Sequence, residues 1–137
     1  METGLSELKE LFELKDKRKG LKEKPLMLAM CYGSDARNFI ASNSLGEIIV
    51  YDTKAYLPQA YIKCSAPATA LALSSNNYFI ASAVGKNIVI WNFQTKEQRT
   101  SIPMPATVKE VAFSTDASLL AATTDDNRLT IIDTKNW

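Results

Sequence analysis

The 137-residue chain is predicted to be all-β, made of four-stranded antiparallel units behind one N-terminal α-helix. Three observations carry the prediction. A segment pattern returns three times at a spacing near 40 residues, each copy alternates β-branched apolar runs with turn residues, and charge is crowded into the first 24 residues.

Composition narrows the function classes before any motif is considered. With 16 Lys+Arg against 15 Asp+Glu, the chain carries no broad positive field for nucleic acid. It has no histidine, which removes the commonest general base and the commonest neutral metal ligand. No apolar run is long enough to cross a bilayer, and the start, Met-Glu-Thr-Gly-Leu-Ser, lacks the apolar core of a signal peptide. A cytoplasmic protein with no metal, no cofactor, no nucleic acid and no membrane partner is expected. Cys31 and Cys64 are too few for a zinc site or a disulfide scaffold and read as small apolar residues.

Residues 1–24 form a charged helix or linker. Thirteen of these 24 residues are charged, against 18 of the remaining 113, so a boundary falls near Lys24-Pro25. Leu5, Leu8, Leu11, Phe12 and Leu14 follow helical spacing, with Gly20 and Pro25 as stops, and predict a helix over about 5–18. The cluster Lys15 to Lys19 reads as its solvated C-terminus, where cations complement the macrodipole. As a helix, this arm is suited to cover an exposed face or edge of the body, or equally to be the tail of an upstream helical domain.

In residues 25–137 the copies align as "FIASNSLGEIIVYD" from Phe39, "FIASAVGKNIVIWN" from Phe79 and "LLAATTDDNRLTIID" from Leu119. That alignment makes Phe39, Phe79 and Leu119 equivalent, and likewise Tyr51, Trp91 and Ile132. Upstream, "LALSSNNY" matches "VAFSTDAS", and "MCYGSDARN" is a looser copy. Each copy reads as three strands with short turns, plus a link long enough for a fourth strand. In "NIVIWN", Ile88 and Ile90 point to one side and Val89 and Trp91 to the other, so neither face of the sheet suits water. Small sheets covered on both sides and repeated at fixed spacing are what blades around an axis require. The units run over about 26–65, 66–105 and 106–137, and the last stops before its outer strand.

These copies resemble the WD-repeat β-propeller family, in which an "FSPDG"-like turn leads through a small-residue strand to an "IxIWD" strand. The corresponding residues here are "FSTDA", "IVIWN" and "LAATTDDNRLTIID", and the resemblance covers residues 26–137. The Trp-Asp dipeptide appears as Tyr51-Asp52, Trp91-Asn92 and Ile132-Asp133. Without histidine, the family's buried hydrogen-bonded set of Trp, Ser/Thr, Asp and His cannot form. The fold implied is a partial β-propeller of about two and three-quarter blades. Closed propellers have about four to eight blades, so the chain is expected to be a homo-oligomer or a fragment of a longer propeller. Cys31 on the innermost strand and Cys64 on the outermost are separated by two strands, which argues against a disulfide between them.

No constellation supports catalysis. Asp125-Asp126 sits in a hairpin turn, where Asp is favoured for backbone reasons, and Ala83 to Asn87 lacks the spacing of a phosphate loop. The resemblance implies a non-catalytic scaffold or adaptor that presents rim loops to a protein or peptide. On that rim Lys86, Met104, Asp125, Asp126 and Arg128 are the candidate contact residues. The alternative is a sensor or regulatory propeller segment of a large multidomain signalling ATPase.

Overall fold

The computed structural model describes residues 13, 14 and 16–137. Among the described residues eleven strands form three antiparallel sheets. The first sheet holds β1 (Met27–Tyr32), β2 (Asn38–Asn43), β3 (Glu47–Asp52) and β4 (Pro58–Lys63). The second holds β5 (Ala70–Leu73), β6 (Phe79–Val84), β7 (Asn87–Asn92) and β8 (Gln98–Pro103). The third has β9 (Val108–Phe113), β10 (Leu119–Thr124) and β11 (Leu129–Asp133), with no outer strand among the described residues. Each sheet is a simple meander in which every strand pairs with the next in sequence. The sheets therefore follow the blade pattern expected, and β5 lies against both β1 and β9 at the inner side.

The middle sheet is covered on both faces. Its leading face, with Ile80, Val89, Trp91, Leu71 and Leu73, packs on Ile40, Ile48, Val50 and Ile62 of the first sheet. Its trailing face, with Ala81, Ala83, Ile88 and Ile90, packs on Val108, Val111, Leu120 and Ala122 of the third. Ile40, Ile48, Ile80, Ile88, Ile90 and Leu120 are wholly inaccessible, and each contributes about 1.5–3 kcal/mol of burial free energy. The alternation read from "NIVIWN" thus sorts the two inter-blade joints correctly.

The register corrects one equivalence. The turn bonds Gly33 N to Asn38 O, Ser74 N to Phe79 O and Ser114 N to Leu119 O are homologous, so the first sheet is offset by 41 residues and the third by 40. Asn38, not Phe39, is the counterpart of Phe79 and Leu119. The later strands return to phase, because the pair Ile49↔Tyr61 recurs as Val89↔Ser101, with each member 40 residues on. Hairpin length absorbs the difference. Asn43 to Glu47 encloses three residues, whereas Val84↔Asn87 encloses only Gly85 and Lys86. Gly85 at φ 58 occupies the first position of that two-residue turn, where glycine is needed, and Gly46 at φ 78 closes the longer loop.

As a result Phe39, Ala41, Ile49 and Tyr51 form the leading face of the first sheet and make a cluster of their own. Phe39 stacks on Tyr51 at 4.7 Å between ring centres. At the other end, Leu119, Leu129 and Ile131 project from the third sheet and are exposed, with no blade against them among the described residues.

The expected helix is absent wherever the arm is described: residues 13, 14 and 16–18 are irregular, while 1–12 and 15 lie outside the described residues. The reason is local. The Asp16 carboxylate accepts from the Arg18 backbone N–H at 3.0 Å, a side-chain turn that competes with helix hydrogen bonds. The expected solvated cluster is also corrected at Arg18, whose guanidinium donates to both carboxylate oxygens of Glu47 at 2.8 and 2.7 Å and lies 4.2 Å over the Tyr61 ring.

Candidate functional site

The expected rim is assembled by backbone hydrogen bonds. Met104 N donates to Lys86 O at 2.8 Å, Val108 N to Gly85 O at 2.9 Å, and Asp125 N to Thr107 O at 2.9 Å. The hairpins of the first two blades are thereby tied to the links that lead to the next sheet, through Cys64 N to Gly46 O at 2.7 Å in the first, and the hairpin of the third is tied to the link that enters its own sheet. The reason is topological. In a meander the turn between second and third strands and the exit from the fourth lie at one end of the sheet.

On this rim Lys86, Asp125, Asp126 and Arg128 are exposed, while Met104 is half-buried against the trailing joint. Asp126 is held on both sides, accepting from Thr124 Oγ1 and pairing with Arg128 Nε at 3.2 Å. Lys86 and Met104 are brought together through their backbones, and Asp126 and Arg128 through their side chains. Among the described residues no ion pair connects Lys86 to either aspartate, so the five residues form two groups along the rim. The arrangement offers fixed donors, acceptors and one sulfur contact. It contains no nucleophile paired with a base.

The opposite rim carries features that the sequence did not single out. Ser34 Oγ donates to Ser75 O at 3.0 Å and Ser75 Oγ to Thr115 O at 2.6 Å, one rung per joint. Asp116 accepts from Ser114 Oγ and Ser118 Oγ, both at 2.7 Å, and these bonds pull its carboxyl down to about 2. Such a carboxylate holds a turn and is a poor proton carrier at neutral pH. On the first blade an open cleft of about 670 Å³ is lined by Arg37, Asn38, Asp52, Lys54 and Gln59. No group of three metal-ligating side chains occurs among the described residues, nor a helix long and apolar enough to cross a membrane.

The Arg18 clasp was also missed. Glu47 is buried, accepts from Asn43 Nδ2 at 3.0 Å as well as from Arg18, and its carboxyl is held below the usual range chiefly by Arg18. An acid placed directly before the apolar run of "EIIVYD" was the available signal; its partner, 29 residues upstream, was not readable without the fold.

The middle sheet also amends the expectation for the family's hydrogen-bonded set. Trp91 Nε1 donates to Ser82 Oγ at 3.1 Å in the core, and Ser82 Oγ donates on to Val89 O at 3.0 Å. A Trp–Ser pair therefore forms without histidine.

No protein-family model matches the sequence, and no curated relative does. Solved structures do match. The WD40 repeats of RRP9 superpose with a TM-score of 0.73 at 18% identity, over 85% of this chain and 37% of that one. The Kuenenia stuttgartiensis hydrazine synthase gives 0.75 at 13% identity, over 93% and 36%. The Myceliophteria thermophila Cps50 (Swd1) β-propeller domain gives 0.72 at 13%, over 80% and 36%. The chain spans little more than a third of the length of these structures. By fold the described residues are three consecutive β-propeller blades, similar to those of WD40 propeller structures, with three strands described in the last.

Proposed function

We propose that the chain is a non-catalytic interaction scaffold that binds a protein or peptide on the rim bearing Lys86, Met104, Asp125, Asp126 and Arg128, within a propeller completed by further blades. The observation that carries this reading is the row of backbone ties from Lys86 to Met104 and from Thr107 to Asp125, which hold exposed polar side chains on a preorganised frame. Rigid presentation favours binding because little loop entropy is lost when a partner docks. The blades supply the frame and the turns supply the chemistry.

The test is to select peptides from a random library on the purified chain and measure their affinity for variants. Lys86→Ala, Asp125→Ala and Arg128→Ala on the rim should each weaken the selected peptides, with at least one by about tenfold, equivalent to about 1.4 kcal/mol. Lys54→Ala on the opposite side should leave them unchanged. Peptides that bind all four variants like the parent chain would remove the rim from the proposal.

A further inference from the structure

The two end faces of the stack are the halves of a joint that the chain already makes twice. On the leading side, Leu71 and Leu73 of the middle blade pair with Ser82 and Ile80, and Met30 and Tyr32 of the first blade pair with Ala41 and Phe39 in the same way. Leu71 and Leu73 are 7% and 8% exposed because the first blade covers them, whereas Met30 and Tyr32 are each 53% exposed. On the trailing side, Ile88 and Ile90 of the middle blade are fully buried by the third, while their counterparts Leu129 and Ile131 are 68% and 56% exposed. Size and character are kept: Leu119, Ala121, Leu129 and Ile131 of the open face repeat Phe79, Ala81, Ile88 and Ile90 of the closed one.

We infer that a second copy of this chain is the occupant, its third blade packing by Leu129 and Ile131 on Met30, Tyr32 and Phe39 of the first. This deepens the proposed completion of the propeller and rests on it. The argument for a second copy is that both halves stand on one chain in the orientation of an established joint, so the same contact can be repeated head to tail. Two chains with three blades each then give six, within the about four to eight of closed propellers, and the ring buries both open faces.

The arm is compatible with such a ring at one point and yields at another. Arg18 rests on Glu47 and Tyr61, whose counterparts Asn87 and Ser101 remain exposed beside a packed blade, so the clasp lies outside the joint. Leu14 instead lines the cavity of about 340 Å³ over Met30, Phe39 and Tyr51 and has to leave it when a blade docks.

The experiment is absolute mass by light scattering over a concentration series, for the parent chain, Met30→Asp and Ile131→Asp, each checked by circular dichroism and thermal melting. Both side chains are more than half exposed, so the folded chain tolerates either change. The parent is expected at twice 15.2 kDa, and each variant alone at 15.2 kDa. An equimolar mixture of the two variants should regain a pair, because one undamaged face of each kind remains. A monomeric parent, a Met30→Asp dimer, or a mixture that stays monomeric would overturn the inference. Should a variant melt early, Met30→Ser and Ile131→Ser replace it with the same expected masses. A monomer that still binds rim-selected peptides would refute the joint and leave the rim reading intact, and a dimer that binds none would do the reverse.

Discussion

Ser42 and Ser82, each preceded by Phe-Ile-Ala, face opposite sides of their sheets. Ser82 accepts the Trp91 indole N–H on the leading face, whereas Ser42 donates to Ala68 O at 2.7 Å on the trailing face. Identical tetrapeptides therefore do different work, because the first blade runs one residue out of phase with the second on its inner strands. A one-residue slip in a strand reverses every side chain.

The core role of Trp91 gives the first prediction. Trp91→Ala should destabilise the chain by about 3–5 kcal/mol, the cost of emptying a large aromatic site. Ser82→Ala strands the buried indole N–H and should cost about 1–3 kcal/mol. Ser42→Ala, which leaves only a carbonyl with a second lone-pair option, should cost less than Ser82→Ala. Urea titrations of the three variants measure this, and an equal effect for the two serines would contradict the assignment of faces.

A second prediction concerns acid. Glu47 titrates below its ordinary range in the folded chain, chiefly through the Arg18 hydrogen bonds. A folded value below the unfolded one means that its stabilisation is complete above the ordinary glutamate range and is lost as pH falls through the folded value. Glu47→Gln should therefore flatten the acid limb of stability against pH. Unfolding midpoints between neutral pH and acid check this, and an unchanged slope would mean that the clasp adds nothing to the fold.

Cys64 is half-buried against the first joint, and burial pushes its thiol up to about 11. Almost no thiolate is then present at neutral pH. Alkylation of Cys64 by iodoacetamide near neutral pH, followed by peptide mass spectrometry, should run far slower than for a free cysteine in a peptide. Equal rates would show that the strand end opens freely.

The two hairpin glycines should differ. A Cβ added at Gly85 would point into open space, and φ there is 58, so Gly85→Ala carries only the backbone cost, about 1–2 kcal/mol. At Gly46 a Cβ would also meet Cys64 O at 3.3 Å, so Gly46→Ala should cost more. Thermal melting of both variants ranks them, and the reverse order would contradict the tight tie between Gly46 and the link.

Much of the fold was legible because its determinants are local. The alternation in "NIVIWN" assigned Ile88 and Ile90 to one joint and Val89 and Trp91 to the other, and turn residues marked the hairpins correctly. The phase of the first blade was not legible, since "FIAS" recurs at 40 while the loop after it differs by one residue, and only the ladder shows which strand carries the offset. The Arg18 clasp was hidden for another reason. A basic run looks the same in sequence whether it is solvated or forked onto a distant carboxylate. On the rim, the turns holding Lys86, Asp125, Asp126 and Arg128 were readable from Gly and Asp patterning, whereas the backbone ties between Lys86 and Met104 depend on how one blade enters the next.

The most direct measurement of the phase relationship, on which the identity of every open and closed face depends, is the set of cross-strand nuclear Overhauser contacts in the first blade. Phe39 should lie opposite Tyr51, Ile40 opposite Val50 and Ala41 opposite Ile49. Contacts joining Ile40 to Tyr51 and Ala41 to Val50, the pattern of the second blade, would contradict it.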